Sequence, residues 1–143
     1  RRNNDSSDRM EIEFPYIKEK ANIVPFVLRP FARVTIKSGQ REVTQDMYVD
    51  SGADITLIPF SVGKALGFEI KKDEDIKRVG GVGGSKISIA VRKVIMSIGE
   101  KEFDCRIAWC LSEDVPLILG RMDVFREFEI LFKEREERVV FIA

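Results

Sequence analysis

Residues 49–56 read Val49-Asp50-Ser51-Gly52-Ala53-Asp54-Ile55-Thr56 and place an aspartate in a tight turn between two apolar segments. Serine and glycine favour chain reversal, and the preceding Met47-Tyr48-Val49 is strand-like. A carboxylate on such a rigid, partly buried support can share a proton with a second carboxylate and activate water. Because Asp-Ser-Gly is also an ordinary turn sequence, the rest of the chain has to supply the context.

The composition indicates one folded domain with no electrostatic bias. The chain has 143 residues, of which 44% are hydrophobic and 34% charged, as in an ordinary globular protein. Its 24 basic and 24 acidic residues cancel, so no net field draws it to nucleic acid or to an anionic membrane. No apolar run reaches transmembrane length. We therefore expect neither nucleic acid nor membrane as a partner.

The absence of histidine narrows the possible chemistry. Ser-His-Asp and Cys-His mechanisms need an imidazole, and zinc hydrolases usually need histidine ligands. Two cysteines cannot complete a four-thiolate zinc site. Carboxylate chemistry, a Ser-Lys pair or an oxygen-ligated metal remains possible for hydrolysis, and of these we predict carboxylate chemistry with no metal and no cofactor. Ser61 and Ser85 are the candidate serines, but adjacent Ser85 and Lys86 would point to opposite faces of a strand.

The two cysteines indicate a reducing compartment. Cys105 and Cys110 are five residues apart, and an odd spacing on one strand puts them on opposite faces, where they cannot bridge. We expect two buried, reduced thiols and a cytoplasmic location.

The pattern along the chain predicts many short strands and two brief helices, hence an all-β, barrel-like domain over residues 11–143 after a flexible tail at residues 1–10. The predicted strands are 32–37, 42–49, 55–58, 87–98, 102–109, 115–119, 129–132 and 138–142. Pro59 can open a short helix through Leu66, with Gly67 as its stop, and a second helix is predicted over residues 121–128.

Two further segments give the aspartate its context. Val79-Gly80-Gly81-Val82-Gly83-Gly84 lies about thirty residues after the turn, and Ile118-Leu119-Gly120-Arg121 precedes the second predicted helix. In type, order and spacing, the three segments resemble those of retroviral-type aspartic proteases, the retropepsins, and are closest to the prokaryotic and cellular branch. The resemblance covers roughly residues 32–132. It implies a retropepsin-like acid protease barrel that works as a two-fold homodimer.

The resemblance also implies roles for individual residues. Asp50 would be the catalytic carboxylate, Ser51 would hydrogen-bond across the two-fold axis, and Gly52 would support the turn and offer its carbonyl to substrate. Ala53 and Asp54 would contact an extended peptide or protein substrate, and Asp54 would form an ion pair with Arg121. A glycine-rich flap over about residues 75–90 would cover the substrate through Gly80, Gly81, Val82, Gly83 and Gly84, whose small residues suit a hairpin tip.

One Asp-Ser-Gly segment per chain means that a two-carboxylate mechanism needs a second chain related by two-fold symmetry. The sequence thus predicts a homodimeric aspartic endopeptidase, with one Asp50 from each subunit. A catalytically silent dimerisation or peptide-binding module on the same fold is the alternative. Retention of Asp50, Ser51 and Gly52 together argues against it.

Overall fold

The computed structural model of the protein describes residues 9–74, 76–80 and 86–143. The strands in this part of the chain are β1 (Glu11–Pro15), β2 (Ile17–Lys20), β3 (Phe26–Arg29), β4 (Phe31–Ser38), β5 (Arg41–Val49), β6 (Thr56–Ile58), β7 (Lys77–Gly80), β8 (Lys86–Ile98), β9 (Lys101–Cys110), β10 (Ile118–Leu119), β11 (Glu129–Lys133) and β12 (Arg138–Ile142). One α-helix, α1, spans Phe60–Ala65, and short 3-10 helices span Phe125–Glu127 and Glu134–Glu136.

The strands form a barrel with two smaller sheets beside it. The main sheet has the order β4-β5-β10-β6-β9-β8-β7, and an additional pairing of β4 with β8 closes it. A three-stranded sheet has the order β1-β12-β11, and β2 pairs with β3 in a separate hairpin. The predicted all-β, barrel-like fold is confirmed.

The core lies inside the barrel and under the three-stranded sheet. Its largest fully buried side chains include Trp109, Phe141, Ile36 and Met47. Inward-facing residues alternate with exposed ones along β4, β8 and β9, as expected for strands with one face on a core. No helix in the described residues is long and apolar enough to cross a membrane.

The two cysteines behave as the spacing predicts. Both are free and buried. Cys105 belongs to the main core, whereas Cys110 belongs to a second, smaller cluster with Ile89 and Ala108. Burial raises the pKa of the Cys105 thiol to about 12 and that of Cys110 to about 11. Both thiols are therefore unreactive at neutral pH.

The first predicted helix is confirmed, and the second is wrong. Pro59 precedes α1, and Gly67 follows it with a φ of +85°. Between residues 121 and 128 the chain instead makes turns and the 3-10 helix Phe125–Glu127. Asp123 has a left-handed φ of +64°, which interrupts any α-helix there.

The ends of the chain add strands that the sequence predicted only in part. The strand expected over 115–119 shortens to Ile118–Leu119, since Pro116 has no N–H to donate. β12 lies between β11 and β1 and pairs with both along its whole length. Residues 1–8 of the predicted tail lie outside the described part. Met10 accepts a backbone hydrogen bond from Ala143 (2.9 Å) and packs against the core.

Helix α1 is held by the indole of Trp109. The Trp109 ring N–H donates to the Phe60 carbonyl at 3.1 Å, and the Phe60 ring stacks on the indole at 5.3 Å between centroids. Gly63 faces the same indole, and a Cβ atom there would overlap its atoms. Only glycine fits at this contact.

We predict that Gly63→Ala lowers the free energy of unfolding by about 2 kcal/mol, because the added methyl group forces the helix off Trp109. Urea unfolding followed by tryptophan fluorescence measures the change. Gly80→Ala is the matched control, since a Cβ there meets no atom within 4 Å. Equal stability of the two variants would contradict the assigned contact.

Candidate active site

The backbone fixes the Asp50 turn and orients its carboxylate. β5 ends at Val49, and the Asp50 N–H donates to the Leu119 carbonyl at 3.1 Å. The Ala53 N–H then donates back to the Asp50 carbonyl at 3.2 Å, which closes the turn. The Gly52 N–H donates to Asp50 Oδ1 at 2.9 Å. The half-buried Asp50 side chain is thus held by the turn that carries it.

Strand β10 holds the Asp50 turn in place. It lies between β5, to which it is parallel, and β6, to which it is antiparallel. Directly after it, the Gly120 N–H donates to Thr56 Oγ1 at 3.0 Å, and Thr56 is completely buried. A Cβ on Gly120 would overlap the backbone of Ile55, so the close approach requires glycine. The Asp50 turn and the Ile118–Arg121 segment, two of the segments that carry the resemblance, are therefore in direct contact. Thr56 stabilises this contact, a role that the sequence did not reveal.

The backbones around Asp54 and Arg121 are hydrogen-bonded to each other, but the two side chains do not form the predicted ion pair. The Arg121 N–H donates to the Ala53 carbonyl and the Met122 N–H to the Asp54 carbonyl, both at 2.9 Å. The Arg121 guanidinium donates to the Ser51 carbonyl at 3.2 Å and lies over the Phe125 ring, 5.0 Å from its centroid. Within the described residues it forms no ion pair with Asp54 under 4.0 Å. Both side chains are exposed, so water solvates the carboxylate and little energy favours the pair.

A different ion pair anchors the segment after Gly120. Asp123 is buried, and its carboxylate accepts hydrogen bonds from the Arg106 backbone N–H (2.9 Å), Nε (2.8 Å) and Nη2 (2.9 Å). These bonds tie the segment to β9 and hold the pKa of Asp123 well below its usual range, with the Arg106 side-chain bonds as the main cause. The left-handed backbone at Asp123 is one that aspartate tolerates. The sequence shows no signal for this pair, since its members lie seventeen positions apart.

Asp50 opens onto a surface hollow of about 330 Å³. The residues that line it are Tyr16, Leu28, Arg29, Pro30, Tyr48, Val49, Asp50, Ser51, Phe132 and Glu134. The Tyr16 hydroxyl donates to Glu134 Oε1 at 2.9 Å, and burial together with this carboxylate raises the pKa of Tyr16 to about 12. Strands from both ends of the chain therefore meet beside the Asp50 turn.

A second hollow of about 360 Å³ lies next to the first and shares Arg29 and Tyr48 with it. Its lining is mainly apolar and includes Phe31, Pro116 and Ile118. Nowhere in the described residues is a group of three acidic or cysteine side chains placed to hold a metal ion.

The region of the predicted flap is described in part. β7 pairs with β8 as an antiparallel hairpin, in register from Lys77 opposite Ile89 to Gly80 opposite Lys86. All four residues of β7 are exposed. Gly81, Val82, Gly83 and Gly84, the predicted tip, lie outside the described residues.

Comparison with solved structures shows that retropepsin-like proteases share this fold. A retropepsin-like aspartic protease from Rickettsia conorii matches with a TM-score of 0.64 and 17% identity, over 95% of this chain and 93% of that one. EIAV protease in complex with the inhibitor HBY-793 matches with a TM-score of 0.53 and 24% identity, over 69% of this chain and 86% of that one. No protein-family model matches the chain, and no curated protein matches it significantly. The predicted retropepsin-like fold is confirmed.

We predict that Asp123→Asn lowers the free energy of unfolding by about 2 kcal/mol at pH 7, since the charged hydrogen bonds to Arg106 are lost while asparagine keeps the backbone conformation. The pKa of Asp123 is depressed in the folded state, so its stabilisation is present above the unfolded pKa of about 4 and declines below it. The difference between wild type and variant should therefore shrink by about 1 kcal/mol from pH 7 to pH 3.

Urea unfolding at the two pH values measures both quantities. Asp104→Asn is the control, because Asp104 and its partner Lys93 are exposed and 3.6 Å apart, and its effect should stay within about 0.5 kcal/mol. An Asp123→Asn effect that is the same at both pH values would contradict the assigned ionisation.

Proposed function

We propose that this protein is an aspartic endopeptidase whose catalytic unit is a homodimer with one Asp50 from each chain. The observation that carries the proposal is the fixed Asp50 turn, with its carboxylate oriented by Gly52 and its backbone locked by β10 on a retropepsin-like barrel. A turn that served only to reverse the chain would have no need for this support.

The chemistry follows from placing two such carboxylates together. Like charges at short range cannot both ionise, so the pair holds one proton and titrates as a unit. The ionised member takes a proton from a water molecule, and the protonated member hydrogen-bonds the scissile carbonyl. The water oxygen attacks the carbonyl carbon, and the amine leaves with a proton from the dyad. This step uses no group other than the two carboxylates and water.

One chain supplies half of this arrangement. A two-fold axis beside the Asp50 turn brings the second carboxylate, and such an axis makes the two halves identical. Ser51 follows Asp50 on the exposed side of the turn, where its side chain can bond to the other subunit. We therefore include the homodimer in the proposal and expect a monomer to be inactive.

Backbone groups beside Asp50 are available to an extended peptide. Within the described residues, the Gly52 carbonyl and the Asp54 N–H have no backbone hydrogen-bond partner, and both residues are exposed. The Ala53 carbonyl already accepts a bond from Arg121, which leaves it one lone pair for substrate. A strand-like peptide would use these groups on one side and the β7–β8 hairpin, including Gly80 to Gly84, as a flap on the other. The two buried, unreactive thiols are compatible with work in the cytoplasm.

We predict that Asp50→Asn reduces peptide-bond cleavage by about 10³-fold or more, because the amide can neither take a proton from water nor share one. Cleavage of casein and of a mixed peptide library, analysed by mass spectrometry, measures the loss. Asp104→Asn, an exposed aspartate on β9, should cleave as wild type does.

As a control, sedimentation velocity and circular dichroism should find the dimer and the fold of the Asp50→Asn variant unchanged. Cleavage by that variant at the wild-type rate would overturn the assignment of Asp50. Absence of cleavage by the wild type with all substrates would instead favour the catalytically silent module.

A further inference from the structure

The β7–β8 hairpin extends past the end of β9, and its first strand is paired on one side only. β7 is the edge strand of the main sheet and has β8 as its neighbour there. β8 pairs with β9 from Ile89 onward, so Lys86 to Ser88 pair with β7 and not with β9. In the described residues, the pairing of β7 with β8 begins at Lys77, opposite Ile89. Contacts before Lys77 therefore decide how firmly β7 is fixed to the barrel.

An ion pair stands directly below this point. Glu74 precedes Lys77 by three positions. Arg92 follows Ile89, the residue opposite Lys77, by three positions, so the same antiparallel register would set Arg92 opposite Glu74. Arg92 Nη1 donates to Glu74 Oε2, and Arg92 Nη2 donates to Glu74 Oε1 at 2.8 Å. Two parallel bonds of this kind fix the orientation of both side chains.

The Arg92 guanidinium also holds the segment that leads into β7. Its Nη2 donates to the Glu69 carbonyl at 2.8 Å, and its Nη1 donates to the Val91 carbonyl at 3.1 Å. The guanidinium carbon lies 5.7 Å from the centroid of the Phe68 ring and 5.4 Å from that of the Trp109 ring. Because Trp109 is completely buried in the core, these contacts attach the segment to the rigid part of the barrel.

The Glu74 carboxylate belongs to a closed turn. It accepts a hydrogen bond from the Lys71 N–H at 3.1 Å, and the Glu74 N–H donates to the Lys71 carbonyl, also at 3.1 Å. The side-chain hydrogen bonds from Arg92 are the main cause that lowers the pKa of Glu74 to about 2. Both members of the pair are therefore charged at neutral pH and in mild acid.

Burial distinguishes this ion pair from its neighbours on the surface. The side chains of Arg92 and Glu74 are 18% and 12% exposed, whereas those of Lys93 and Asp104, the adjacent pair on β8 and β9, are 70% and 68% exposed. Withdrawing two charges from water costs much of what their attraction gains, so such a pair adds little net stability. Its stronger effect is to select one arrangement of the groups that it joins.

We propose that Arg92 is a positioning residue for peptide binding, which fixes the base of the β7–β8 hairpin on the barrel through Glu74 and the Trp109 ring. The inference rests on the proposed function, since that function uses this hairpin as a flap over the peptide. Arg92 is assigned no contact with the reacting atoms. The chemistry at Asp50 is therefore independent of it, and its loss should weaken binding of the peptide and not the chemical step.

Arg92→Met tests the assignment, because methionine keeps an unbranched side chain against the two rings but donates no hydrogen bonds. KM should rise about tenfold, since only a fraction of the molecules then hold the hairpin in place. The value of kcat should stay within about threefold of wild type, because the interaction is lost equally in the ground state and the transition state. A fluorogenic peptide built on the sequence that wild type cleaves fastest in the library measures both constants.

Two further variants identify the pair as the cause. Glu74→Gln keeps the shape of the side chain and removes its charge, and it should also raise KM, by about threefold or more. Because the two residues act together, the double variant Glu74→Gln/Arg92→Met should raise KM no further than Arg92→Met alone. Lys93→Met removes the neighbouring charge on β8 and is the matched control, with KM and kcat as in wild type.

Hydrogen exchange followed by mass spectrometry measures the hairpin base without a substrate. In Arg92→Met and in Glu74→Gln, the amides of residues 69–74 and 77–80 should exchange about tenfold faster than in wild type, while those of β4 and β5 keep the wild-type rate. Lys93→Met should exchange as wild type does throughout. If Arg92→Met does not fold, Glu74→Gln, which changes one side chain of the preceding segment, decides by the same measurements.

Wild-type exchange at residues 69–74 and 77–80 in these variants would overturn the proposal. A loss that falls on kcat with KM unchanged would overturn it too, as would faster exchange spread evenly over the barrel, which is the mark of an ion pair that only stabilises the fold. A wild type that cleaves no peptide contradicts the proposed function, and the exchange rates then decide by themselves whether Arg92 fixes the hairpin.

Discussion

The position of β10 between β5 and β6 is the constraint on which the rest of the site depends. In this two-residue strand, the Leu119 carbonyl accepts a hydrogen bond from the Asp50 N–H. Gly120, the next residue, donates its N–H to the buried Thr56 hydroxyl. Both acceptors belong to fully buried residues, Leu119 and Thr56, so loss of either bond would leave a buried polar group unsatisfied. Because a Cβ atom on Gly120 would overlap the backbone of Ile55, the close approach of the two segments requires glycine. This contact holds the backbone of the Asp50 turn, and the Gly52 N–H orients the Asp50 carboxylate.

Around this junction the chain brings its two ends together. β1 and β12 pair, Tyr16 donates to Glu134, and both of these residues line the hollow in front of Asp50. The half-site is part of that surface. The proposed mechanism needs a second carboxylate there, which a second chain related by two-fold symmetry would supply.

Sequence reasoning succeeded where the determinants are local. The Asp50 turn, the helix between Pro59 and Gly67 and the opposite faces of the two cysteines all follow from residue type and spacing. It failed where contacts between residues distant in sequence determine the structure. Asp123 takes a left-handed conformation with its carboxylate bonded to Arg106 on β9, so the second predicted helix does not form. The Arg121 guanidinium bonds to Ser51 and not to Asp54, a choice between nearby acceptors that only the folded geometry settles.

The proposed active site contains one Asp50 from each of two chains. Wild type and Asp50→Asn chains can be mixed at constant total concentration, equilibrated and assayed for peptide cleavage as the wild-type fraction is varied. If two carboxylates from two chains form the site, activity falls with the square of the wild-type fraction, because mixed dimers carry a single Asp50 carboxylate. Activity that falls in simple proportion to that fraction would show that each chain works alone and would contradict the account.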